Sequence, residues 1–226
     1  MKEYKILHIH VAISFLLAAL MAFYRNISMA NYIYISIFVL PVILFAMLLF
    51  IEREDQTVIP KEEGDIDKNQ IVFSKIVSSL TLQLIPLFFY IIVITFAYHL
   101  HFSYLLFILA FLLGSLLHIL IGLTLSIISK TSGVLSFSYL TYIILFSSIP
   151  IFYSAGLIPL QFQYALLVSP AYLSGILIDD VLISSVGSSL GIAIISAVLQ
   201  VIYVLLLSYF IIRPFAKNYL EDCCKK

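Results

Sequence analysis

Six stretches of this 226-residue chain are long and apolar enough to cross a lipid bilayer: roughly 7–24, 31–51, 77–98, 103–128, 135–153 and 188–212. A crossing helix needs about 20 mainly apolar residues. Composition agrees, with 63% hydrophobic residues, 11% charged residues and a mean hydropathy of +1.14. A soluble domain is about half apolar and about a quarter charged. So much apolar surface cannot be hidden in one globular core, and a water-soluble fold is excluded. The 12 Lys and Arg balance the 12 Asp and Glu, which removes any overall charge for holding nucleic acid. Cys223 and Cys224 are adjacent, and neither a disulfide framework nor a zinc motif can be built from that spacing. The expected fold class is all-α, a polytopic membrane bundle of six transmembrane helices forming one transmembrane domain over 1–226.

Basic residues set the orientation. With the N-terminus inside, Lys2, Lys5, Arg53, Lys61, Lys68, Lys75, Lys130, Arg213, Lys217, Lys225 and Lys226 all fall in the cytoplasm, and only Arg25 falls outside. Eleven against one is a strong positive-inside bias and puts both termini in the cytoplasm. The first apolar run is not expected to be a cleavable signal, because the bulky Phe23, Tyr24 and Arg25 close it.

The stretch 157–178 has the length of a seventh crossing but not the character of one. Pro159, Gln161, Gln163, Ser169-Pro170 and Gly175 interrupt it, and Asp179-Asp180 close it. A crossing there would also move four basic residues of the C-terminal end outside. It is expected to form two short helices broken near Ser169-Pro170, a re-entrant hairpin entering from the outer face before the last span. Non-helical backbone at membrane depth must be covered by protein or line a cavity, so this hairpin should pack against other spans.

One substantial polar stretch remains. Residues 52–75 hold seven acids against four bases, over half the acids of the chain in one cytoplasmic loop. The second span runs directly into Glu52-Arg53-Glu54, Thr57 follows, and Ser74-Lys75 opens the third span. In this order the chain resembles the membrane subunits of type-2 ABC exporters, nearest in style to the drug-export (fluoroquinolone-type) permease branch. That family carries Glu-Arg-Glu, two or three residues, Thr, a mixed segment, then Ser or Gly with Lys. The likeness extends to the six-span count, Pro41 in the second span and the outer hairpin with Ser169-Pro170. Gln56 stands where the family usually has Gly, Asp65 roughly where it has Pro, and the elbow helix before the first span is reduced to Met1–Lys5.

The resemblance implies a transporter subunit rather than an enzyme. Glu52, Arg53, Glu54, Thr57, Ser74 and Lys75 would form the coupling element, within 52–75, that docks on an ATPase. The implied partners are two copies of an ABC ATPase and a second permease subunit, identical or homologous, in membrane lipid, with no nucleic acid. The residues themselves agree on one point. The chain lacks a Gly-x-x-x-x-Gly-Lys-Ser/Thr loop, so no cofactor is expected on it, and ATP and Mg would sit on the partner ATPase.

Inside the spans the polar inventory is neutral and sparse. Gln83, His118, Thr141 and Gln200 are the candidates to line a path, and such a lining suits an amphipathic or lipophilic substrate better than a small ion. His118 lies within the fourth span, where an ionisable group is by default a functional-site candidate; a neutral His bonded to a neighbouring helix fits as well. His8, His10, His99 and His101 form two His-x-His pairs, but residues i and i+2 do not share a helix face, so no metal site is expected. Gly114 and Gly122 on the fourth span, and Gly187 and Gly191 at the start of the sixth, are small-residue positions that let helices approach closely. Pro41, Pro86 and Pro150 can kink the second, third and fifth spans. Three other functions compete: a non-transporting immunity or scaffold protein of the same fold, an intramembrane enzyme, and an ion-coupled carrier. The last two would need carboxylates or histidines clustered at membrane depth.

Overall fold

The computed structural model describes residues 2–24, 29–40, 42, 46–47, 50–51, 68–183 and 190–214. Among them all regular structure is helical and none is strand. In chain order, α1 is Lys2–Phe23, α2 Met29–Leu40, α3 Lys68–Leu82, α4 Leu84–Ala97 and α5 Tyr104–Ile128. Helix α6 (Ser132–Tyr142) passes through a π-helical turn, Ile143–Ser147, into α7 (Ser148–Ser154). A 3-10 turn at Leu160–Phe162 and the one-turn α8 (Gln163–Leu166) lead to α9 (Pro170–Ile183). Helix α10 (Leu190–Leu207) continues into a second π-helical turn, Ser208–Ile212.

Among the described residues, four helical stretches are long and apolar enough to cross a membrane: Val72–Ala97, Tyr104–Ile128, Ser132–Tyr153 and Gly191–Ile212. Their outer faces expose large apolar side chains, among them Phe73, Phe96, Phe137 and Phe210. Surface of that kind is a lipid contact, not a water contact. The chain is built as a helical membrane protein. Its central post is α5, of which 61% of the most apolar window is buried, against 28% or less for the other three. Around it pack α2, α3, α9 and α10, with α1 against α4 and α2. The largest core cluster joins Met21 of α1, Ile33 and Ile37 of α2, Tyr90 and Ile94 of α4, Phe107 and Phe111 of α5, and Ile178 of α9.

Local chemistry explains the helix ends. Ser103 caps α5 with its hydroxyl accepting from Leu106 N–H, and Thr131 does the same for α6 at Val134 N–H. Between α4 and α5 the chain reverses through His99, whose φ of 53° lies in the left-handed region. Helix α7 ends in a Schellman motif: Gly156, at φ 73°, bonds Tyr153 C=O while Leu157 N–H reaches Phe152 C=O. Pro159 follows, and Pro170 sits at the first position of α9, where its missing N–H costs nothing.

Candidate functional site

Two polar seams run through the apolar interior. The first lies where α5, α9 and α10 meet. Gly114 of α5 lets α2 and α9 come close: a Cβ placed there would stand 3.2 Å from Ile37 Cγ2 and 3.2 Å from Ser174 Oγ. Ser174 Oγ in turn lies 3.2 Å from Gln200 Oε1 on α10 and 3.2 Å from the Pro170 carbonyl on its own helix. One hydroxyl proton cannot serve both acceptors at once. Gln200 Nε2, Ser196 Oγ and Ser115 Oγ have no hydrogen-bond partner among the described residues, although all three side chains are fully buried. An unmade bond on a buried polar group costs about 1–3 kcal/mol, so this seam carries spare hydrogen-bonding capacity.

His118 borders the same region one turn along α5. Its Nδ1 is 2.7 Å from the Gly114 carbonyl, which can only accept, so Nδ1 carries the proton. The ring stands edge-on to Tyr142 with centroids 6.4 Å apart, and Tyr142 packs with Tyr34, Leu117 and Ala171. Through Gly114, therefore, His118 and Gln200 belong to one neighbourhood. Sequence reasoning passes over Ser115 and Ser174, whose only signal is a hydroxyl within an apolar helix.

The second seam joins α1 to the boundary between α3 and α4. Gln83 lies there, buried, with its N–H divided between the Ser79 and Leu80 carbonyls. His10 Nε2 of α1 stands 3.0 Å from the Leu82 carbonyl, and Ser14 Oγ donates to the His10 carbonyl at 2.7 Å. Further along α4, the hydroxyl of Tyr98, just past its end, donates to Met21 C=O of α1 at 2.7 Å, and that of Tyr90 to Tyr32 C=O of α2 at 3.1 Å. Gln83 is thus separate from His118 and Gln200, and Thr141, half-buried on α6, joins neither seam.

A smaller bridge ties α9 to the fifth apolar helix. Ser169 accepts from Tyr172 N–H at 3.2 Å, capping α9, and donates to Phe146 C=O at 3.3 Å. Tyr203 of α10 donates to Val168 C=O at 3.1 Å, closing the same turn. Near the other end of α9, Asp179 is half-buried outside the four crossing stretches. Its Oδ1 has no hydrogen-bond partner among the described residues, and burial raises the carboxyl to about 6.

The coupling candidates Glu52, Arg53, Glu54 and Thr57 lie outside the described residues, as do Pro41 and Gly187. Ser74 and Lys75 fall on the second turn of α3, with Ser74 exposed. Gly122 is buried on α5, whereas a Cβ at Gly191 would meet nothing within 4 Å. Among the described residues no three His, Cys, Asp or Glu side chains gather as a metal site. Chemically, the first seam offers buried neutral donors and acceptors: it can bind or relay hydrogen bonds. Comparison with known proteins adds no relative, since no family model, no curated protein and no solved structure matches the chain.

Proposed function

We propose that this chain is the membrane subunit of an ATP-driven exporter, taking its energy from a separate ABC ATPase and moving an amphipathic or lipophilic substrate. The observation that carries the proposal is the order Glu52-Arg53-Glu54, Thr57, Ser74-Lys75 between the second and third apolar segments. The all-helical bundle supplies a suitable body, and the spare capacity of the α5–α9–α10 seam is neutral, as a path for an uncharged or amphipathic solute requires. In this reading α1 and α2 begin the first two crossings and the four long apolar helices complete six. Helix α9 begins only at Pro170, after a 3-10 turn and the one-turn α8, and this broken start favours a re-entrant element over a seventh crossing. Both termini then lie in the cytoplasm of a cell-membrane protein that works as a homodimer or heterodimer with two ATPase subunits.

A native reporter tests the topology. Cys223 and Cys224 are the only cysteines. A membrane-impermeant maleimide should leave them unlabelled on intact cells and label them after permeabilisation. Labelling from outside would refute the six-crossing arrangement. The purified chain alone should hydrolyse no ATP, and intrinsic ATPase activity would overturn the exporter reading.

A further inference from the structure

The break between α3 and α4 has a specific chemical cause. Pro86 stands four residues after Leu82. In an unbroken helix the N–H of residue 86 would bond the Leu82 carbonyl, but proline has none, and its ring crowds that carbonyl. Inside a membrane no water is at hand to take the orphan acceptor, so another protein group must. That group is His10 Nε2 of α1, 3.0 Å away and 72 residues distant in sequence. Because a carbonyl only accepts, His10 is held with its proton on Nε2. The next bonds re-form around the break: Gln83 N–H is divided between Ser79 and Leu80, and Leu87 N–H reaches Gln83 C=O at 3.3 Å.

We propose that His10, Leu82 and Pro86 form a mechanical joint, in which α1 supplies the hydrogen bond that proline denies to the third apolar helix. A proline break left to itself is a site of bending. Here the break between α3 and α4 is held by a donor on a different helix, so α3 cannot swing against α4 without moving α1 or breaking the bond. The position adds consequence. Helix α3 begins at Lys68, within the charged stretch and directly after its last acid, Asp67, and carries Ser74 and Lys75 towards the joint. A push on the cytoplasmic end of α3 would reach α1 through His10. This lever role rests on the docking function proposed above; the joint itself does not.

A double-mutant cycle on the full chain in lipid nanodiscs tests the joint. His10→Leu removes the donor and should lower Tm by about 3–6 °C, roughly the cost of an orphaned buried acceptor. Pro86→Ala restores the backbone N–H, so in that background His10→Leu should lower Tm by less than half as much. His10→Gln keeps a donor of similar reach and should recover most of the loss. Spin labels at the exposed Phe73 and Phe96 report the bend across the break. Their distance distribution should broaden in His10→Leu and tighten again in Pro86→Ala with His10→Leu. Equal losses from His10→Leu in both backgrounds, or a distribution that ignores His10, would overturn the joint and leave His10 a packing residue. Should His10→Leu fail to assemble, His10→Gln and Pro86→Ala with His10→Leu still decide the matter, because both must be well folded.

Discussion

The two polar seams of this bundle are put together on opposite principles. Along α1 and α4 the bonds run from a side chain to a main-chain carbonyl of another element, His10 to Leu82, Tyr98 to Met21 and Tyr90 to Tyr32. Each such pair fixes one helix against another at a defined height. Along α5, α9 and α10 the polar groups face one another, with one Ser174 proton for two acceptors and Gln200 Nε2, Ser196 Oγ and Ser115 Oγ unserved among the described residues. Low dielectric makes an incomplete network costly and a complete one rigid. The α1–α4 seam, where His10 Nδ1 and Gln83 Oε1 also lack a partner among the described residues, braces helix against helix through main-chain carbonyls, whereas the α5–α9–α10 seam sets its unmade bonds side chain against side chain.

The contrast can be broken by substitution. The largest effect belongs to Gly114, a close approach in the α5–α9–α10 seam. Gly114→Val should clash with Ile37 and Ser174, cost about 1–3 kcal/mol of overpacking and lower Tm by roughly 2–10 °C. Gly191→Ala, where nothing lies within 4 Å, is the control and should leave Tm unchanged or slightly raised. Equal losses at the two glycines would mean that α5 is not the tight seam.

Next comes the spare capacity itself. Gln200→Leu removes an amide whose Nε2 is unserved and leaves Ser174 its bond to Pro170. Stability should move by less than about 1 kcal/mol in either direction, unlike His10→Leu, while the export proposed for this chain should fall. If Gln200→Leu destabilised the chain as much as His10→Leu, the seam would be a brace like the other.

The smallest effect is electrostatic. Burial raises the Asp179 carboxyl to about 6 in the folded chain. Between about pH 4 and pH 6 the folded form keeps a proton that the unfolded form has released. Stability should therefore be greatest below that window, fall as pH rises through it, and stay lower above it. Asp179→Asn should flatten the Tm profile between pH 4 and 7 and raise Tm at pH 7 by about 1–3 °C. A profile that Asp179→Asn leaves unchanged would place the pH dependence elsewhere.

Hydropathy carries far in such a chain, and its reach shows where it stops. The run 103–128 corresponds to the observed α5, Tyr104–Ile128, because a fully apolar helix with a serine cap leaves few alternatives. The Ser169-Pro170 break before α9 is likewise written in residue types. The gap at Gln83 is foreshadowed by Pro86, but the π-helical turns at 143–147 and 208–212 are not written there, since an apolar run reads alike whether its carbonyls bond four or five residues on. Nor does any local pattern tie His118 to Gln200, which meet only through Gly114 and Ser174. One rule could have found His10: a proline within a span orphans a known carbonyl, and some donor at the same depth must take it.

The central claim, that this chain draws its energy from a partner, is tested most directly by purifying it from native membranes in mild detergent. The account predicts that an ABC ATPase copurifies in equal proportion. Reversing charge at Glu52 and Glu54 (Glu52→Lys with Glu54→Lys) should release that ATPase and leave membrane insertion intact, since misplaced charges at a contact cost several kcal/mol. Asp179→Asn serves as the control and should keep it. A chain that comes through purification with no ATPase, or with one that ignores the double charge reversal, would contradict the account.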